Sequence, residues 1–277
     1  MTKITAAEVN KLRKQTGAGM MDCKKALVES EGDFENAIDI LRKKGQKVAN
    51  KRAGKEASEG VVIAKTTDDK KFGCIVAINC ETDFVAKNQD FIDFVSSIMD
   101  LALANSTKTI DELKAIKLNG RTVEETIMDQ IGKIGEKIEL SSYEIIDAAK
   151  VSAYNHQGNK LATLLGLNKD DVEKADQIGH ELAMQVAAMS PVAVDKDDVE
   201  QKIIDKEIEI GKELARQEGK PEELVEKIAI GKLNKFFKDN TLLNQQFVRD
   251  TKKTIRQYLT ETDKDLTVTE FKRVMLG

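Results

Sequence analysis

Between Phe72 and Ala102 the hydrophobic period of the chain changes once, and no other feature limits the fold as much. Phe72, Cys74, Val76, Ile78 and Cys80 alternate, as on one face of a β-strand. Phe91, Ile92, Val95, Ile98, Met99 and Ala102 then recur at the three-to-four spacing of a buried helical stripe. A strand and a helix this close in sequence must pack on each other across the corner Glu81-Thr82-Asp83-Phe84-Val85-Ala86-Lys87-Asn88. The chain has nine Phe, three Tyr and no Trp, so an aromatic at a polar corner needs a reason. Phe84 either heads the core stripe or is held out to meet something. Asp83 has the character of a helix N-cap.

Residues 1–50 read as a three-helix module. Thr5 can cap a helix bearing Val9 and Leu12, and Gly17-Ala18-Gly19 stops it. Met20, Cys23, Ala26 and Leu27 mark a second helix, and Asp33 caps a third carrying Ala37, Ile38 and Leu41. Short helices are marginal alone and must pack together, which gives a compact unit of ubiquitin-associated type. Of Met20 and Met21, one is expected in the core and one on a docking surface, where methionine adapts well. Residues 51–60 read as a basic linker. They close a run, Arg42 to Lys55, that holds seven cations and no interleaved aromatic. A solvated helix end is the first reading; binding of RNA phosphates is the alternative.

Residues 61–140 and 141–196 read as two α+β core subdomains. The first contains the strand Val61–Ala64, the turn Thr67-Asp68-Asp69-Lys70, the strand and helix described above, and a helix from Val123 into Gly132-Lys133-Ile134-Gly135. That last tetrapeptide has the form of an RNA-binding GxxG loop, but close helix packing explains two glycines equally well. A strand over Glu139–Ile146 follows. Then a strand starting at Ser152–Asn155, the turn His156-Gln157-Gly158-Asn159, the strand Lys160–Leu167 and a helix from about Val172 to Met189 repeat the order of elements in 60–104. Residues 197–238 form an antiparallel coiled-coil hairpin, with Gly219 and Pro221 at its stop and restart. Residues 239–277, with strand-like Leu266-Thr267-Val268, return to the core as an added strand. The fold class is α+β: a helical module, two related core subdomains and an inserted hairpin.

Several functions fit poorly. Lys and Arg total 44 against 48 Asp and Glu, a net charge of −4, which disfavours a general nucleic-acid or membrane-surface binder. Cys23, Cys74 and Cys80 contain no CxxC pair and read as buried free thiols of a reducing compartment. Met1-Thr2-Lys3-Ile4-Thr5 has no apolar run, so no secretion signal is read there, and no apolar stretch approaches the roughly 20 residues of a membrane helix. A cytoplasmic protein is expected. His156 and His180 are the only histidines, and no HExxH, GxSxG, Walker or dinucleotide pattern occurs. The chain is therefore read as a binding or regulatory protein without enzyme chemistry, cofactor or metal. An enzyme built on His156 is the weaker reading.

The motifs also resemble a known family. Leu12-Arg13-Lys14-Gln15-Thr16-Gly17-Ala18-Gly19-Met20-Met21-Asp22-Cys23-Lys24-Lys25-Ala26-Leu27 is similar to the N-terminal signature of bacterial translation elongation factor Ts, and Thr82–Asn88 to its second signature. Ile134–Ile138, His156-Gln157-Gly158 and Ala183–Ala188 with Pro191 resemble further landmarks in the same order. The resemblance implies a guanine-nucleotide exchange factor for elongation factor Tu. It implies that Asp83 and Phe84, flanked by Thr82 and Val85, reach the partner near its Mg²⁺ and phosphate site. It assigns Leu12, Met20 and Met21 to a second contact and His156, Gly158 and Asn159 to a third. Gln185 stands where the family often has histidine, so it can hydrogen-bond a partner but cannot titrate. The C-terminal helical module of some members is not expected after Arg273-Val274. Monomer, homodimer and 2:2 assembly with the partner all remain open, and the alternative function is an RNA- or ribosome-associated protein using residues 42–55.

Overall fold

The computed structural model describes residues 4–118 and 120–277; residues 1–3, read above for a secretion signal, lie outside the described part. Helices α1 (Ala6–Thr16), α2 (Met20–Glu29) and α3 (Phe34–Arg52) come first. Thr5 and Glu8 exchange side-chain and backbone bonds in a capping box, and Asp33 caps α3 by accepting the Asn36 N–H. Val9, Leu12, Cys23, Ala26, Leu27 and Ala37 form the shared core of these helices. Helix α3 is 19 residues long and runs through most of the basic segment to Arg52. Only residues 53–58 connect it to the first strand.

Strands β1 (Glu59–Thr66) and β2 (Phe72–Cys80) form an antiparallel hairpin, with Glu59 opposite Cys80 and Thr66 opposite Gly73. A single turn, α4 (Asp83–Ala86), leads into α5 (Gln89–Asn105) and the short α6 (Ile110–Ala115). The small ladder of β3 (Lys117–Leu118) and β4 (Arg121–Thr122) precedes α7 (Val123–Ile134). Strand β5 (Ile138–Asp147) returns beside β2, giving the order β1-β2-β5. The plan then recurs. Strands β6 (Lys150–Asn155) and β7 (Leu161–Leu167) form a hairpin and α8 (Ala175–Met189) crosses it. The long hairpin of α9 (Gln201–Gln217) and α10 (Glu222–Asn240) follows, then β8 (Gln246–Phe247), β9 (Asp250–Thr254) and α11 (Ile255–Thr262). Last, β10 (Val268–Met275) pairs with β7 in a sheet ordered β10-β7-β6. In both sheets the third strand lies beside the second strand of the hairpin. The final strand extends well past the strand-like residues 266–268, and α8 starts three residues later than its apolar pattern suggests.

The core is a stack of four layers. Helices α5 and α7 cover one face of the first sheet, through Phe91, Val95, Ile98, Ile127 and Ile131 on Cys74, Val76 and Ile78. The alternating pattern of β2 marks this face. Its other face is also buried, because Val62, Ala64, Ile75 and Ala77 meet Val151, Ala162 and Leu164 of the second sheet. The two sheets thus pack face to face, as in a β-sandwich. A Cβ on Gly73 would lie 2.9 Å from Val151 Cγ1, so glycine permits this close approach. Leu165 and Leu167 face the opposite way, against Ile178, Leu182 and Val186 of α8 and Leu242, Ile255 and Leu259. Among the described residues no helix is long and apolar enough to cross a membrane.

Candidate functional site

The corner after β2 is built by two successive caps. Thr82, not Asp83, is the N-cap of α4: its hydroxyl accepts the Val85 N–H at 3.4 Å. Asn88 caps α5 by accepting the Asp90 N–H at 2.9 Å. The second cap redirects the chain, so α4 and α5 are not one helix and their side chains do not share a stripe. Ala86 is buried and Val85 half-buried against the first-sheet core, while Phe91 begins the stripe of α5. Phe84 is left outside at 85% exposure, the one exposed phenylalanine among the nine. Asp83 receives a hydrogen bond from Lys87 Nζ at 2.6 Å, and this bond holds its carboxyl below the ordinary range. The thiol of Cys80 donates to Thr82 O at 3.2 Å, and burial pushes it up to about 12. It is therefore protonated at neutral pH and offers no nucleophile here.

A second surface lies at the start of α2. Met20 and Met21 are 52% and 63% exposed, so neither is the core residue that one of them was expected to be. Val28 adds a third exposed apolar side chain on the same helix, which helical patterning did not single out. Leu12 is fully buried under this surface. Its expected role as a direct contact is corrected: it supports the module from inside.

The turn between β6 and β7 presents His156 and Gly158, both exposed. Tyr154 and His156 share a hydrogen bond of 2.9 Å between the phenol and Nδ1. Asn159 is half-buried, and its carbonyl accepts the Val62 N–H at 2.7 Å, which ties this turn to β1. Gln185 does not belong to any surface. It is fully buried in α8, donates to Gln246 O at 3.1 Å and Gln245 Oε1 at 3.2 Å, and accepts the Val248 N–H at 3.0 Å. Burial corrects its assignment as a partner contact; it pins the segment after α10 to α8. Sequence reasoning also passed over Glu136, which accepts the Thr82 hydroxyl at 2.7 Å. Its only signal was a place inside the Ile134–Ile138 landmark.

The chain is similar to known proteins over its whole length. A family model described as "Elongation factor TS" matches residues 81–277. The chain is 52% identical over 277 residues to Elongation factor Ts of Christiangramia forsetii, covering 100% of both chains. It is 54% identical over 278 residues to that of Cytophaga hutchinsonii, again over 100% of each. With that of Porphyromonas gingivalis the identity is 50% over 275 residues, 99% of this chain and 98% of the other. An α+β scaffold with these matches is a translation elongation factor. Within that class the chain belongs to the elongation factor Ts family.

Proposed function

We propose that the protein is a guanine-nucleotide exchange factor that binds elongation factor Tu carrying GDP and promotes release of the GDP in the cytoplasm. It does so by inserting the Asp83–Phe84 tip near the Mg²⁺ and phosphate site of the partner. The observation that carries this reading is the exposure of Phe84 on a turn capped at both ends. The factor makes and breaks no covalent bond. GDP is held by phosphate and metal contacts in the partner. A factor that binds the nucleotide-free form more tightly must weaken GDP by the same coupling free energy. Phe84 supplies the difference by filling a slot that opens only when partner helices shift. A buried aromatic anchor of this kind contributes about 2–4 kcal/mol, or about 30- to 1,000-fold in an equilibrium constant. Excess GTP then completes the exchange by mass action.

Asp83 accepts a hydrogen bond from the partner; its present bond to Lys87 holds its carboxyl below the ordinary range. Thr82 and Val85 hold the tip. Met20 and Met21 make a second contact, and the turn at His156, Gly158 and Asn159 a third. The test is release of labelled GDP from elongation factor Tu with and without the protein. Acceleration by the wild type and its loss in Phe84→Ala are expected. No acceleration by the wild type would falsify the exchange reading; full activity in a folded Phe84→Ala would remove the wedge.

A further inference from the structure

Two carboxylates, Glu136 and Glu81, bind the backbone on either side of the corner that carries the tip. Helix α7 ends at Ile134, Gly135 turns the chain, and Glu136 reaches back to the corner. Its Oε2 accepts the N–H groups of Glu81 and Thr82, both at 3.1 Å, and its Oε1 accepts the Thr82 hydroxyl at 2.7 Å. Neither N–H has a backbone acceptor among the described residues. Glu81 returns the tie: its Oε1 accepts the Lys137 N–H at 2.6 Å, and its Oε2 accepts Arg52 Nη1, from the end of α3, at 3.0 Å. Glu136 thus covers the Glu81 and Thr82 N–H groups and Glu81 that of Lys137, beside the place where β2 and β5 pair through Cys80 and Ile138.

We propose that Glu136 is the positioning residue of the tip: it fixes the angle at which α4 leaves the sheet, and so where Phe84 points. That the angle matters for exchange rests on the function proposed above. The Thr82 hydroxyl caps α4 while donating its proton to Glu136, so the carboxylate also sets the rotamer of the cap. A helix of four residues has no stability of its own. Phe84, out in solvent, cannot restore the direction once the tie is lost.

Two substitutions separate position from fold. Glu136→Ala removes all three bonds. Glu136→Gln keeps three contacts: its amide oxygen accepts both N–H groups, and its NH₂ donates to the Thr82 hydroxyl, reversing that bond. The chain has no tryptophan, so Phe84→Trp places the only indole at the tip. Time-resolved anisotropy of that indole, with no partner present, is expected to show a larger fast component with Glu136→Ala and wild-type motion with Glu136→Gln. In the GDP-release assay Glu136→Ala is expected to lower the catalysed rate by about 10- to 100-fold, the scale of a tip misplaced by about 1 Å. Glu136→Gln is expected to restore the rate, and Glu136→Ala to add nothing further in a Phe84→Ala background. A tip as rigid in Glu136→Ala as in the wild type overturns the proposal. So does a Gln variant as defective as the Ala variant, or an effect undiminished without Phe84. If Glu136→Ala does not fold, Thr82→Val removes the hydroxyl's bond to Glu136 together with its cap on the Val85 N–H, and an unchanged tip there is equally fatal. Should the wild type fail to accelerate release, the exchange reading falls, while the anisotropy still decides whether Glu136 aims the tip.

Discussion

A phenylalanine left in water forgoes about 1.5–3 kcal/mol of burial. Position 84 bears that cost because α4 stops after one turn and Asn88 restarts the helix in a new direction. Removing the ring should therefore leave the fold unharmed. Phe84→Ala is expected to change stability by no more than about 0.5 kcal/mol, the usual range for a surface site, and a denaturant titration beside the release assay checks this. Gln185 is the opposite case. It is buried with three hydrogen bonds to residues 245–248, so Gln185→Ala leaves donors and acceptors without partners. A loss of about 1–3 kcal/mol is expected; a wild-type denaturation midpoint would contradict it. Sequence motifs found both positions but could not separate them. An exposed wedge and a buried polar bridge look alike until the segment that covers one of them is placed, and that segment lies about sixty residues further on.

At the level of elements, the helical module joins the core where α3 crosses α7. A Cβ on Gly132 would sit 3.1 Å from Gly45 Cα, so the crossing is as close as two glycines allow. This explains half of the Gly132–Gly135 motif as packing; Gly135 supplies the rest by ending α7 with φ at 83°. Gly132→Ala should push the two helices apart at a cost of about 1–3 kcal/mol. The loss belongs to module docking, so amide exchange should rise in α1–α3 while the sheets stay protected. Equal protection everywhere would mean that the crossing yields without strain. Helix α1, through its Thr5 cap, and α5, through its apolar stripe, were legible from sequence because both signals are local. The length of α3 was not. Its second half carries few apolar residues, and it is held as a helix by Gly45, Val48 and Ala49 against the core, a tertiary effect that composition does not display.

The whole molecule is closed by its last 39 residues, 239–277, which cover α8 and complete the second sheet. The face-to-face meeting of the sheets escaped sequence reading because alternation in β2 reports one apolar face. The inner face reads as small or apolar filler, Gly73, Ile75 and Ala77, until a second sheet is there to bury it. Two carboxylates clamp the closing segment. Glu181 accepts Tyr258 Oη and Gln177 Nε2, at 2.6 and 2.9 Å, and pairs with Arg249. Asp195 pairs with Arg256 and accepts Asn244 Nδ2 at 2.7 Å. Burial alone would raise both carboxyls, but these donors outweigh it and hold both below their ordinary values of 4.5 and 3.8. A carboxyl depressed in the folded state stabilises it above the ordinary value, and that contribution is lost as pH falls through the depressed one. Denaturant midpoints measured from about pH 7 to about pH 3 should therefore be insensitive to these two groups down to roughly pH 4.5 and fall below it. Glu181→Gln should be less stable than the wild type at neutral pH and lose less on acidification, since one of the two titrating clamps is gone. An acid slope identical to that of the wild type would exclude Glu181 as a clamp and leave Asp195 to account for the closure.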